Sequence, residues 1–199
     1  MKTLTTTPTK IITALPLLLL MATPLAHAND TQPADWTGNV SGYLGVKSLD
    51  GDDWQELDSH TSIGVTTDFK QSSWPISIAF DLIATGDVHE SGALEDIGYT
   101  VENHIGVRKI FKTSSSFMPY IGGGVAIVHT GIENKGPSKN VKEDDSTVGS
   151  WVGAGTYLQI NQNINLGLDI RYSKAEATLF NTNREVGGLH AGVTAGYHW

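Results

Sequence analysis

The chain has 199 residues, 21 of them acidic against 13 basic, and no cysteine. The acidic balance argues against nucleic acid as a partner. The missing cysteine excludes disulfides, thiolate metal sites and a lipid-modified cysteine.

Residues 1 to 28 read as a cleaved secretory signal: Lys2 and Lys10 supply a positive start, Ile11 to Ala22 is apolar, and Ala26-His27-Ala28 places small residues around a cut after Ala28. The apolar run is about 12 residues and contains Pro16, too short for the roughly 20 that a spanning helix needs. Removing the signal leaves 171 residues, 29 to 199, as one barrel domain with 11 basic residues against 21 acidic. No apolar run in that remainder reaches helix-spanning length, so membrane insertion has to use strands.

Stretches of period-two alternation bounded by turn-forming residues recur from residue 38 to the last residue, which predicts an all-β protein. Eight strands are expected, at 38 to 48, 59 to 69, 75 to 85, 97 to 110, 119 to 131, 146 to 159, 164 to 178 and 188 to 199. Each can cross a bilayer at a tilt, which takes about 9 to 11 residues. Links one, three, five and seven ("DGDDWQELD", "GDVHESGALED", "ENKGPSKNVKEDD", "FNTNREVG") are longer than links two, four and six ("KQSSW", "FKTSSSFM", "NQN"). That alternation predicts an eight-stranded antiparallel up-and-down transmembrane β-barrel in the outer membrane of a Gram-negative cell envelope, with long loops outside and both termini in the periplasm.

Face by face, Ile76, Ile78, Phe80, Leu82 and Ala84 oppose Ser77, Ala79, Asp81, Ile83 and Thr85 in the third strand, and Leu166, Leu168 and Ile170 oppose Gly167, Asp169 and Arg171 in the seventh. With Lys47, Glu102, His104 and Arg108, the polar face collects three positive and three negative side chains. An Arg or Lys facing lipid at mid-bilayer costs about 2 to 4 kcal/mol, so Lys47, Asp81, Glu102, His104, Arg108, Asp169 and Arg171 are expected as a charge network filling the lumen. An eight-stranded barrel is just wide enough to be filled by side chains. Trp36, Phe69, Trp74, Phe111, Phe117, Tyr120, Tyr197 and Trp199 are expected at the periplasmic headgroup boundary, and Tyr99, Trp151 and Tyr172 at the outer one, with an inward Trp151 as the alternative because the sixth strand does not fix its own phase. Lys109, on the lipid-facing side of its strand, is expected to snorkel to water.

The closing "HAGVTAGYHW" resembles the last strand of outer-membrane β-barrel proteins, and "MPYIGGGVAIV" and "NLGLDIRYS" look like strands of the OmpA-like small barrels. The resemblance implies that Tyr197 and Trp199, with Ala195, Val193 and Ala191 on their face, form the signal read by the barrel-assembly machinery. Thr194 stands where the family pattern has glycine. No periplasmic peptidoglycan-binding domain is expected after the barrel.

Chemistry is sparse. Gly122-Gly123-Gly124 lacks the Gly-Lys-Ser/Thr ending of a phosphate loop and is expected to make room for larger lumen neighbours. No histidine pair has close zinc spacing, and no cofactor, metal site or catalytic residue is expected. A lipid-A-modifying enzyme is the alternative, with His60, Ser62, His129, Glu133, Ser146 and Ser150 near the outer rim; a narrow pore is another. The expected role is structural or surface-interacting, with outer-membrane lipid around the barrel and a surface ligand engaging long loops that carry Trp54, "DGDD" and "KGPSKNVKEDD".

Overall fold

The computed structural model describes residues 35–54, 57–92, 94–113, 116–136 and 140–199; the expected signal lies outside them. Seven strands follow one another as β1 (Trp36–Ser48), β2 (Ser59–Gln71), β3 (Ser77–Ser91), β4 (Leu94–Ile110), β5 (Phe117–Lys135), β6 (Asn140–Gln159) and β7 (Ile164–Lys174). A small hairpin, β8 (Glu176–Leu179) and β9 (Thr182–Glu185), precedes the last strand, β10 (Gly188–His198). Strands β1 to β7 and β10 form one closed antiparallel ring, each beside its chain neighbour, and β10 returns to β1 with Asn39 opposite His198 and Ser48 opposite Leu189. Closure pairs the backbone of every strand on both sides, as a hydrocarbon environment demands.

Alternation decides which way each side chain points. Phe80, Leu168 and Val193 are 36, 61 and 52 % exposed, while their strand neighbours Asp81 and Arg171 are 0 and 1 % exposed. The barrel is apolar outside and ionic inside. Among the described residues no helix is long and apolar enough to cross a membrane; the crossing is made by strands.

The two ends differ. At one end the links are short: 72–76, 111–116 and 160–163. At the other, the expected long loops are largely strand, because β3 runs to Ser91 and β4 starts at Leu94, and β5 runs to Lys135 and β6 starts at Asn140. The β3–β4 turn is tight enough to need Gly92 at φ +65°. Strands β5 and β6 have 19 and 20 residues against 11 each in β7 and β10, an excess worth roughly 25 to 30 Å of extended chain. The expected seventh strand, 164 to 178, ends instead at Lys174, and the chain turns back as β8 and β9.

Among the described residues, two outward connections supply side chains that fold in over the lumen. The β1–β2 link carries a single helical turn, α1 (Gly51–Trp54), and the β7–β10 link carries the β8–β9 hairpin. Leu49, Trp54, Leu57, Ala177, Leu179 and Val186 from these links are buried against Ile132, with Phe180 packed on them. Trp54, expected in a solvated loop, is 3 % exposed, and its Nε1–H donates to the Glu185 carbonyl at 2.7 Å. The lumen therefore has an apolar stopper at its outer end.

Candidate functional site

In the lower lumen, β2, β3, β4 and β7 bring ionised groups together at a height set by barrel register. Arg108 Nη2 and Arg171 Nη1 both donate to Asp81 Oδ2, at 2.9 and 2.8 Å. Arg108 Nη1 reaches Asp68 Oδ2 at 3.0 Å, and Arg171 Nε reaches Asp169 Oδ1 at 2.7 Å. The Tyr157 hydroxyl donates to Asp68 at 2.6 Å and the Tyr120 hydroxyl to Asp169 at 2.5 Å. Asn39 donates to the other Asp68 oxygen at 2.9 Å. Each carboxylate thus has several donors, the condition under which a buried ion is tolerated.

Glu102 organises the next layer. It meets Lys47 Nζ at 2.6 Å, His104 Nε2 at 2.8 Å and His190 Nε2 at 2.9 Å, all three partners fully buried. Arg171 Nη1 donates to His104 Nδ1 at 3.2 Å, so the His104 ring proton sits on Nε2, facing Glu102. His104 stacks on Trp151 at 5.3 Å, and Lys47 also donates to the Val186 carbonyl at 2.7 Å, tying the ionic layers to the stopper. All seven residues expected in the lumen point into it. Asp68, Tyr43, Tyr120, Tyr157, His60 and His190 line it too.

Several positions differ from expectation. Tyr120, expected at the headgroup boundary, is 4 % exposed and bonded to Asp169, because it shares its face with Gly122 and Gly124. Trp151, for which the sequence left the outer boundary and an inward phase both open, turns inward over His104; a Cβ on Gly122 would lie 3.1 Å from its ring, so the glycine run does open space for a lumen neighbour. His60 and Ser62 are buried in the lumen, not gathered with the outer-rim groups. Asp68 is absent from the expected set, although its phase on β2, shared with Ser62 and Thr66, is the signal that points it inward.

On the outward face, Trp36, Phe117, Tyr197 and Trp199 are exposed at the short-turn end, and Trp36 packs edge-on against Trp74 at 5.4 Å. Lys109 reaches back to the Pro75 carbonyl at 2.7 Å, at that same edge. At the opposite rim His129 Nδ1 lies 2.8 Å from Ser146 Oγ across the β5–β6 ladder, and Lys142 sits 5.7 Å from the Tyr99 ring.

The end carrying the long hairpins is strongly acidic. Residues 49–58, 86–97, 131–146 and 174–188 hold fifteen acidic residues against five basic. Some acids hold the stopper in place. Asp53 accepts the Glu185 N–H at 2.7 Å while its carbonyl takes the Arg184 guanidinium, and Glu185 accepts the Ala175 N–H at 2.9 Å. Asp145 accepts the backbone N–H of Thr178 at 2.9 Å and of Ser146 at 2.8 Å, and these bonds hold its carboxyl below the usual aspartate range.

Comparison with solved structures gives the same fold at low identity. Ail of Yersinia pestis, solved with the heparin analogue sucrose octasulfate, matches at TM-score 0.56 and 13 % identity, over 82 % of this chain and 98 % of that one. A major outer membrane protein from Thermus thermophilus matches at TM-score 0.56 and 9 % identity, over 83 % of this chain and all of that one. Neisserial surface protein A matches at TM-score 0.51 and 14 % identity, over 82 and 94 %. No curated protein sequence matches the chain. The family model for the outer membrane protein beta-barrel domain matches residues 12–198. With a closed ring of eight strands, apolar outside and ionic within, the chain belongs to the outer membrane protein β-barrel domain family and resides in the outer membrane.

Proposed function

We propose that this protein is a non-enzymatic membrane anchor that presents its extracellular end to a surface ligand. The observation that carries the reading is the closed lumen: the Arg–Asp and Glu102 layers fill the middle and the Trp54–Leu179 stopper fills the top, while β3 to β6 continue outward past it. A filled barrel does not support a wide pore, so the exposed hairpins are where a partner is met. The ligand of Ail in its complex is a polyanion. An outer end with fifteen acids against five bases repels such a ligand, so this chain's partner belongs to a neutral or cationic class.

In this reading residues 1 to 28 are the cleaved export signal, and Tyr197 and Trp199 are read by the barrel-assembly machinery. The test exchanges residues 131–146 and 86–97 for short turns and compares attachment of cells bearing either form to host and abiotic surfaces. Attachment that falls with the hairpins supports the reading; equal attachment of both forms contradicts it.

The His129–Ser146 contact favours a second reading, a lipid-modifying hydrolase, since a serine within reach of a histidine is the minimum for an activated hydroxyl. Mass spectrometry of lipid A from cells with and without the protein decides it, an acyl pattern unchanged by the protein removing the enzyme.

A further inference from the structure

All four outward connections contribute to one pocket of about 220 Å³ above the stopper. Its floor is apolar, made by Trp54 and Leu57 from the first connection, Ile132 from the third and the Phe180 ring from the β8–β9 turn. Its rim is polar and planar: the His89 imidazole and Asp96 carboxylate from the second, the Asn134 amide from the third, and the Arg184 guanidinium from the fourth, with Asp53 beside it. These side chains are placed by the strand extensions, for His89 and Asp96 are a cross-strand pair and Asn134 stands opposite Asp96 on β5.

We propose that this pocket binds a neutral saccharide unit, a refinement that rests on the surface-ligand reading above. Three features select that chemistry. The first is the pairing of donors and acceptors on planar groups. Asn134 Nδ2 donates to Asp96 Oδ1 at 2.6 Å, which leaves Asp96 Oδ2 and Asn134 Oδ1 as adjacent acceptors. Arg184 lines the pocket and uses one terminal nitrogen on the Asp53 carbonyl, while its Nε is buried without a hydrogen-bond partner among the described residues. Adjacent acceptors and a guanidinium fork match vicinal hydroxyls, each of which both donates and accepts. The second is the floor, where an aromatic ring beneath polar groups accepts the C–H face of a sugar while the edges engage its hydroxyls. The third is charge. Asp53 and Asp96 outnumber Arg184, and the surrounding loops are acidic, so a sulfated or phosphorylated ring is disfavoured. The volume, below the roughly 300 Å³ at which drug-sized pockets begin, suits one ring and not a chain.

The test uses the full chain folded in nanodiscs and saturation-transfer NMR with glucose, galactose and N-acetylglucosamine, with sucrose octasulfate and spermidine as anionic and cationic comparators. The proposal expects transfer to at least one neutral sugar, weakened about tenfold or more by Asp96→Ala and by Asn134→Ala. Faster migration of unheated than of boiled samples on a gel establishes that both variants are folded. Binding only of sucrose octasulfate or spermidine, sugar binding unaffected by both substitutions, or no sugar binding by the folded protein each overturns it. If hairpin-dependent attachment persists under any of those outcomes, the surface role stands and the pocket assignment alone is lost.

Discussion

At and below Glu102 the lumen is held chiefly by ions bonded to one another; above it, beyond a polar layer of His60, Thr85 and Thr100, it is capped by hydrocarbon from two connections folded back over the mouth. The lower filling comes from the strands themselves and is fixed by barrel register, so each residue has a partner whose position the ladder dictates. The upper filling comes from α1 and the β8–β9 hairpin, which no ladder of the barrel holds. It depends on apolar contact, on the bonds of Asp53, Glu185 and Asp145, and on the one bond that reaches it from the ionic layers, Lys47 to the Val186 carbonyl. The contrast teaches that barrel closure and lumen closure are separate events, one made by strands and the other by links.

The largest predicted effect breaks the lower filling. Arg171→Ala leaves Asp81 with one arginine and Asp169 with none, and should destabilise the barrel by about 3 to 5 kcal/mol, read as a lowered urea midpoint in lipid. Leu179→Ala cuts the upper filling at a fully buried side chain and should cost about 2 to 5 kcal/mol, but within the stopper. Proteolysis near residues 176–185 should accelerate while the barrel's urea midpoint stays put; a midpoint that falls with it would show the two fillings to be one unit. Tyr120→Phe removes a hydroxyl from Asp169 without disturbing the ring packing against Tyr157, a loss of about 1.5 to 3 kcal/mol by the same urea assay.

The smallest effect is a titration. Asp145 is bonded as a carboxylate to the Thr178 and Ser146 amides, so its folded pKa lies below its unfolded one. Its contribution is present above the ordinary aspartate value of about 3.9 and is lost as pH falls through the lower folded value. The Thr178 amide resonance should therefore titrate with a midpoint below about 3.9, and a midpoint at or above it would detach the hairpin from Asp145.

These two regions also differ in how far the sequence disclosed them. In β7 the string from Ile164 to Ser173 alternates without a break, so its faces and the place of Asp169 and Arg171 are legible residue by residue. In β5 the inward face carries Ala126, Val128 and Ile132, apolar like the outward one, and the alternation that would have placed Tyr120 and extended the strand to Lys135 disappears. The stopper's one periodic signature misled: Ala175, Ala177 and Leu179 alternate with Lys174, Glu176 and Thr178, which continued the expected seventh strand and gave no sign of the turn back. Trp54 sits in a polar string, and the β8–β9 turn is built on Phe180 and Asn181 at φ 52° and 58°, where the usual signal is Asn-Gly. Its apolar residues are scattered over separate segments that only the closed barrel brings together. Nor did link length reveal that the outward connections were hairpins, because charged residues are as acceptable in a strand above the membrane as in a loop.

The direct test of the central claim is a spin-label scan of the naturally cysteine-free chain in lipid. Single cysteines at Asn165, Leu166, Leu168, Ile170 and Ser173 carry nitroxides, and their collision with oxygen and with a water-soluble nickel chelate is measured. Labels at 166, 168 and 170 should meet oxygen and escape nickel, while those at 165 and 173 do not collide freely with oxygen. The reverse phase, or no alternation along β7, would contradict a barrel that turns its hydrocarbon to lipid and its ions to one another.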